Sequence, residues 1–600
     1  MRSPYEGSIV LPMYANNPRA ALAALGFSLP ALLLAGCAGM HPHPAPPPPS
    51  GDPNALTITA EAALKHGDCR AAAEAYAQAA QVGDVKLARH ATEVGIACEH
   101  VPAAWTSVVR WRTLAPLDPD ANALYALVAL KLYRTADARA GVRDYLKSVA
   151  IVNSAGVAQS PAKTSKPGHD PNVRALGDLV SLLLGEPDTP AAAVLGAMGG
   201  VPEPTASAPQ TLIIFGELAL AAYDGKRAEA YATQALGKDP GDLAALRVLA
   251  RAYLLQGDSE QAIATARTAV SVDGSRGGLE LAEILSSLDR MEEAHQQLES
   301  LRGHGVAPEE IDRRLALLAF QSGDLKEARQ RFVALLSGGE GNDAAQLYLA
   351  DIAARDGDAE RALAEYRRLY DSSVAVTARS RAAALLLERT THTDSARTEA
   401  LTLLDDYAAE HPEEELEITL AKARLLADHG QADAGLAVLS GELERHPQNP
   451  SIEYDRAVIL DQAGHVHESV SALEQLLAQR PDDPSLENAL GYTLADHSIE
   501  LPRAEGLIRR ALTVMPDNPA ALDSLGWVHY RRGDARGAAG TLERAYSIDH
   551  DAEIAAHWGE ALWVSGAQGE ARKVWAAALA REPDSKPLKA TLARFIPDAQ

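Results

Sequence analysis

The sequence predicts an all-α solenoid, a right-handed superhelix of about a dozen stacked helix pairs. Three observations lead there. First, Ala228, Ala262, Ala294, Ala328 and Ala362 follow one another at intervals of 32 to 34 residues. Twelve residues before each stands Gly216, Ala250, Ala282, Ala316 or Ala350, and seven after stands Ala235, Ala269, Leu301, Leu335 or Leu369. Two helices of about 14 residues joined by a short turn generate this pattern, with small residues where the helices approach most closely. Second, Asp224-Gly225, Gly257-Asp258, Gly323-Asp324, Gly357-Asp358 and Gly533-Asp534 lie where one helix ends and the next is capped. Third, the chain is 47% hydrophobic but only 5% aromatic, so alanine and aliphatic side chains do the packing.

The elements follow in order. Ala20 to Ala35 is an apolar stretch of 16 residues, preceded by Arg19 and broken by Pro30. A membrane span needs about 20 residues, so this segment is expected to be the core of an export signal covering 1–36, with Met13 as a second candidate start. Leu34-Ala35-Gly36-Cys37 resembles a bacterial lipobox. That resemblance implies Cys37 as the acylated first residue. With Ala38 rather than Asp after it, sorting to the outer membrane is implied, facing the periplasm. Residues 37–54 form a tether rich in proline between His41 and Ser50. Extended polyproline geometry at ~3.1 Å per residue gives it a reach on the order of 50 Å. His41 and His43 have no further ligands nearby and belong to that spacer.

Repeats begin in 55–147, where Ala72, Tyr76 and Ala79 mark a first unit and Trp111 and Pro119 a second. Residues 148–210 break the rhythm. Ser148 to Pro171 reads as loop, and Val173–Leu184 with Ala191–Met198 as a helix pair without the repeat's marks. A degenerate repeat and an inserted element both fit, and a hinge is expected here. The main array spans 211–584, and 585–600 supplies a capping helix from Lys586 to Phe595.

Leu525-Gly526, Ala538, Leu542 and Ala545 in one unit, and Trp558-Gly559, Ala571, Trp575, Ala578 and Pro583 in the next, resemble the tetratricopeptide repeat. Pro240, Pro412, Pro447, Pro481 and Pro516 close other units in the same way. The resemblance covers most of the chain after the tether. It implies that one face of each first helix lines a concave groove, occupied here by Asn488, Tyr492, Asp523, Trp527, Tyr530, Arg531, Glu560 and Trp563. Trp527, Tyr530 and Trp563 are expected to be exposed in that groove as anchors for a protein ligand, and Trp558 and Trp575 to be core. With Asp523 and Glu560 on this face and Arg531 its one clear cation, a basic or mixed ligand fits better than a carboxylate clamp.

Charge and motifs narrow the function. Asp and Glu number 81 against 56 Lys and Arg, a formal charge of −25. Such an excess, without a run of five basic residues, argues against nucleic acid as partner. Three cysteines exclude a disulfide scaffold and a multi-cysteine metal cluster. Cys69 and Cys98 fall at helix ends that adjacent antiparallel helices bring together; a disulfide and two buried thiols both fit. Gly339 to Ala344 spells G-x-G-x-x-A, but after a helical segment rather than a strand, so no dinucleotide cofactor is expected. His465 and His467 lack partner spacing for a metal. No catalytic motif stands out, and no enzyme, cofactor or metal is expected.

The tail from Asp523 to Asp534, followed by His557 to Trp563, together with Cys37, resembles a proteobacterial group of repeat lipoproteins. The resemblance implies a lipid-anchored adaptor that presents peptidoglycan hydrolases to a carboxyl-terminal processing protease. A scaffold for envelope assembly, including polysaccharide export, is the alternative.

Overall fold

The computed structural model describes residues 52–66, 68–98, 100–154, 171–185, 189–337, 343–389, 394–446, 449–480, 483–582 and 585–596. The signal-like segment, Cys37 and the tether as far as Gly51 lie outside the described residues, as do Pro447, Pro481 and Pro583. Among the described residues there are 31 α-helices and no strand. They pair, in chain order, into helical hairpins from Pro53–Lys65 with Cys69–Val82 to Ala552–Val564 with Gln568–Arg581, and Lys586–Phe595 follows as the last helix. No described helix is long and apolar enough to cross a membrane.

Local chemistry sets the hairpin turns. The first helix of a pair stops at a glycine in the left-handed region, as at Gly257 (φ 77°), Gly357 (78°) and Gly533 (91°). The following aspartate then caps the second helix. Asp258 accepts from the Gln261 amide at 3.1 Å, Asp358 from Arg361 at 3.2 Å, and Asp534 from Gly537 at 2.9 Å. Each such cap is worth about 1 kcal/mol. Pro119, Pro450, Pro484 and Pro519 begin first helices, where the missing amide has no partner to lose.

Packing follows the small residues. Ala228, Ala262, Ala294, Ala328 and Ala362 are fully buried, as are Ala250, Ala316 and Ala350 across from them. Three hairpins precede residue 155, where the sequence marks show two; Thr135–Ser154 completes the third with Pro119–Lys131. Ser148, expected to open a loop, lies inside that helix, because its side chain is buried and its hydroxyl donates to the Tyr145 carbonyl at 2.7 Å. The irregular element is a bridge in the core. Leu176, Leu179, Leu183 and Val194 share one cluster with Leu127 and Leu130 before it and Phe215 and Leu218 after it.

Two long-range features complete the fold. Cys69 opens its helix, Cys98 caps Val85–Ala97, and the two are disulfide-bonded with Cα atoms 5.3 Å apart. The bridge closes a loop of 29 residues. Cys69→Ser with Cys98→Ser should cost the first hairpins about 3 kcal/mol, read as a lower thermal midpoint that reductant no longer shifts. Met515, in the turn before Pro519–Arg531, is buried in one cluster with Ala60, Tyr76, Trp111 and Tyr125. The array therefore curves until its C-terminal repeats rest on its first ones.

Candidate interaction face

The first helices of successive pairs are linked along one face by inter-repeat ion pairs. Arg247 joins Glu217. Arg251 reaches Glu280 at 2.6 Å and also holds Glu283, which pairs in turn with Arg314. Arg381 joins Asp351, and Arg424 grips Asp455 with two hydrogen bonds at 2.7 and 2.8 Å. Pairs of this kind are individually weak when exposed, but a series sharing side chains holds them in register. Only a repeat of constant pitch brings such partners together so regularly.

The series ends in an aromatic and ionic cluster built by three consecutive first helices, Pro484–Asp496, Pro519–Arg531 and Ala552–Val564. At its centre His557 lies 3.0 and 2.9 Å from the two carboxylate oxygens of Asp523 through Nδ1. The imidazole stacks on Trp527 with ring centres 3.9 Å apart, and Trp527 stacks on Tyr530 at 4.9 Å. Trp527 Nε1 donates to Asp496 at 2.9 Å. The Tyr492 hydroxyl donates to Glu553 at 2.5 Å, passing over the intervening helix. Burial works against a charge on His557, yet Asp523, Glu553 and Glu560 outweigh it and hold its pKa up at about 9. Burial raises the Glu553 carboxyl, with Asp523 and Asp551 adding to the effect.

The residues expected to line an open groove are placed differently. Trp527 is 4% exposed, Asp523 5%, Asn488 2% and Glu560 1%, so none of them is a surface anchor. Curvature is the cause, because it draws the first helices together until their inner side chains fill the space between them. Asn488 Oδ1 is buried without a hydrogen-bond partner. Glu560 is covered by the last helix, accepting from Thr591 at 3.1 Å and pairing with Arg594. That helix acts as the first half of a further repeat. Trp563 is half-buried between Trp575 at 5.6 Å and Phe595 at 6.0 Å, with the Arg572 guanidinium 5.0 Å from its ring centre. Tyr530 and Arg531 stay partly open. Arg531 donates to Ser498 at 2.8 Å and to Asp496 at 3.3 Å, and lies 5.5 Å over Trp527.

Sequence reasoning missed His557, Glu553 and Asp496. Only the packing of neighbouring helices makes them part of the cluster. Arg594, too, adds a cation to a face where Arg531 stood alone. Chemically the arrangement is a rigid aromatic floor with a polar rim of Asp496, Tyr530 and Arg531. Among the described residues no group of three His, Cys, Asp or Glu side chains is placed to hold a metal ion. Gly339 to Asn342 of the G-x-G-x-x-A stretch lie outside the described residues, between the helices Leu325–Ser337 and Asp343–Arg355.

Comparison with known proteins finds the same repeat in the sequence. Tetratricopeptide-repeat profiles match residues 219–276, 313–373 and 500–553. A TPR repeat-containing protein of Pseudomonas aeruginosa is 29% identical over 162 residues, which is 27% of this chain and 28% of that protein. Among solved structures, a thermophilic TPR protein of Thermus thermophilus is 23% identical, covering 30% of this chain and 97% of its own, with a TM-score of 0.27. Yeast Tom70 is 13% identical over 90% of this chain and 99% of its own, with a TM-score of 0.29. Stacked hairpins, buried small-residue marks and matching profiles lead to one conclusion: the chain carries tetratricopeptide repeats and folds as a solenoid of them.

Proposed function

We propose that this protein is a lipid-anchored scaffold at the outer membrane, facing the periplasm, whose work is to hold protein partners. The observation that carries the scaffold reading is the continuous wall of first helices from Pro209–Ala221 to Ala552–Val564, tied by ion pairs and ending in the Tyr530–Arg531 rim. Such a wall offers many stations to one or more partners, and holding two of them together raises their effective concentration. Support for the compartment comes from Leu34-Ala35-Gly36-Cys37 and from the Cys69–Cys98 bridge, which persists in an oxidising environment. The finer reading is an adaptor that presents peptidoglycan hydrolases to a carboxyl-terminal processing protease, with Arg531 and its neighbours as a contact.

Affinity capture with the full chain from detergent-solubilised envelope tests it. A processing protease and murein hydrolases should co-elute, and Arg531→Glu should weaken that capture at least tenfold with helical content unchanged. Envelope-assembly factors alone in the eluate would overturn the adaptor reading. Undiminished capture by Arg531→Glu would remove the rim from the contact.

A further inference from the structure

In a solenoid each repeat needs only its neighbours, so contact between one superhelical turn and the next is not required for folding. Here the sequence provides for it. The residue before the closing proline is polar in Asp239, His411, His446, Arg480 and Glu582, but at 515 it is methionine. Met515 is fully buried against the first three hairpins, with Val514 packed beside it. The turn between the two helices of a pair is equally telling. Where Gly257, Gly357 and Gly533 stand in other units, the left-handed residue is Tyr133 (φ 50°) in the third hairpin and Tyr223 (φ 54°) in the fifth. A tyrosine is strained there and persists only where its side chain is used.

Both rings are used, in packing that reaches the C-terminal repeats. Tyr133 belongs to the cluster that encloses Met515. Tyr223 faces His550, ring centres 5.7 Å apart, with the Arg581 guanidinium 5.2 Å over it. Arg581 is fixed from its own side, donating to the Tyr546 hydroxyl at 2.5 Å and the His550 carbonyl at 2.9 Å. The two contacts differ in kind. Around Met515 the packing is apolar. Around Tyr223 it is polar, with a cavity of about 310 Å³ lined by Ala191, Asp549, Asp551 and Glu582 among others. Desolvated carboxylates beside a void make that edge the easier one to part.

We propose that Tyr133, Tyr223 and Met515 form a clasp that locks one turn of the superhelix onto the next, and that its release lets the array extend. A partner that favours the extended form would open the clasp by its difference in affinity for the two states.

Cross-linking tests the clasp directly. The full chain carrying Cys37→Ser, Ala192→Cys and Glu582→Cys, which line the cavity from its two sides, should yield a 192–582 peptide with a short bismaleimide. Adding Met515→Glu should lower that yield at least fivefold and raise the radius of gyration in small-angle X-ray scattering, with helical content unchanged by circular dichroism. Absence of the cross-link in the chain that keeps Met515, or a yield that Met515→Glu leaves unchanged, would overturn the proposal. Tyr133→Gly covers the case in which Met515→Glu loses helix, because glycine suits that backbone and removes only the ring. It should lower the yield at least twofold, and an unchanged yield again overturns the clasp.

Discussion

Asp523→Ala should destabilise the C-terminal repeats by about 3–5 kcal/mol, because it leaves a buried imidazolium without its partner. His557 is only 7% exposed and its ring is stacked on Trp527, so it has no solvated position to retreat to. The same pair makes stability depend on pH. The folded-state pKa of His557, about 9, stands above the ordinary histidine value of 6.5. Protons are therefore bound more tightly in the folded state. The contribution is complete below pH 6.5 and is lost as pH rises toward 9, and the shift corresponds to about 3 kcal/mol. Melting followed by tryptophan fluorescence should fall in midpoint across that window for the native chain. Asp523→Asn should flatten the dependence. A native profile that is level from pH 6.5 to 9 would show that His557 does not carry its charge into the fold.

Gly559→Val should be nearly as damaging, at about 3 kcal/mol or more. A Cβ at this position would lie 2.0 Å from Trp575 Nε1 and 2.3 Å from its Cε2, far inside any tolerated contact. The Trp575 ring is 1% exposed and wedged beside Trp563 and Phe595, so it cannot swing aside without undoing the last hairpin and the capping helix. The neighbouring unit has the same construction on a smaller scale. A Cβ at Gly526 would lie 2.5 Å from Leu542 Cγ, but an aliphatic side chain can yield where an indole cannot. Gly526→Ala should therefore cost less than Gly559→Ala, a ranking that paired urea titrations can check.

Trp527 shows why the interaction face was only partly legible in the sequence. Its place in the repeat is right for the inner wall, and an aromatic residue there suggests an anchor for a ligand. Its exposure depends on how closely the next first helix approaches. That approach depends on His557, one helix on and one place off the groove register, and on Tyr492 reaching past a whole helix to Glu553. Trp563 was read as a groove residue for the same reason, while Phe595, which covers it, belongs to a helix with no repeat marks. Trp575 and Gly559, by contrast, were legible, since a large residue opposite a glycine has one place to go.

What the linear pattern carries in this protein is everything that acts over a few residues or recurs at the repeat period. Helix pairs, Gly-Asp turns, buried alanines, proline starts and the capping helix all follow from local sterics, capping and the period of 32 to 34 residues. Superhelical curvature has no such signature. It is the sum of small rotations between many hairpins, each set by side-chain volume at an interface, so an error at any one propagates along the array. The tertiary structure alone settles that the inner wall closes over Trp527 and Asp523, that Pro171–Leu184 and Ala191–Ala197 bridge two blocks of core, and that Met515 joins the cluster of Trp111. Those contacts join residues one helix, two hairpins or a full turn apart, and their geometry exists only once the whole chain has stacked.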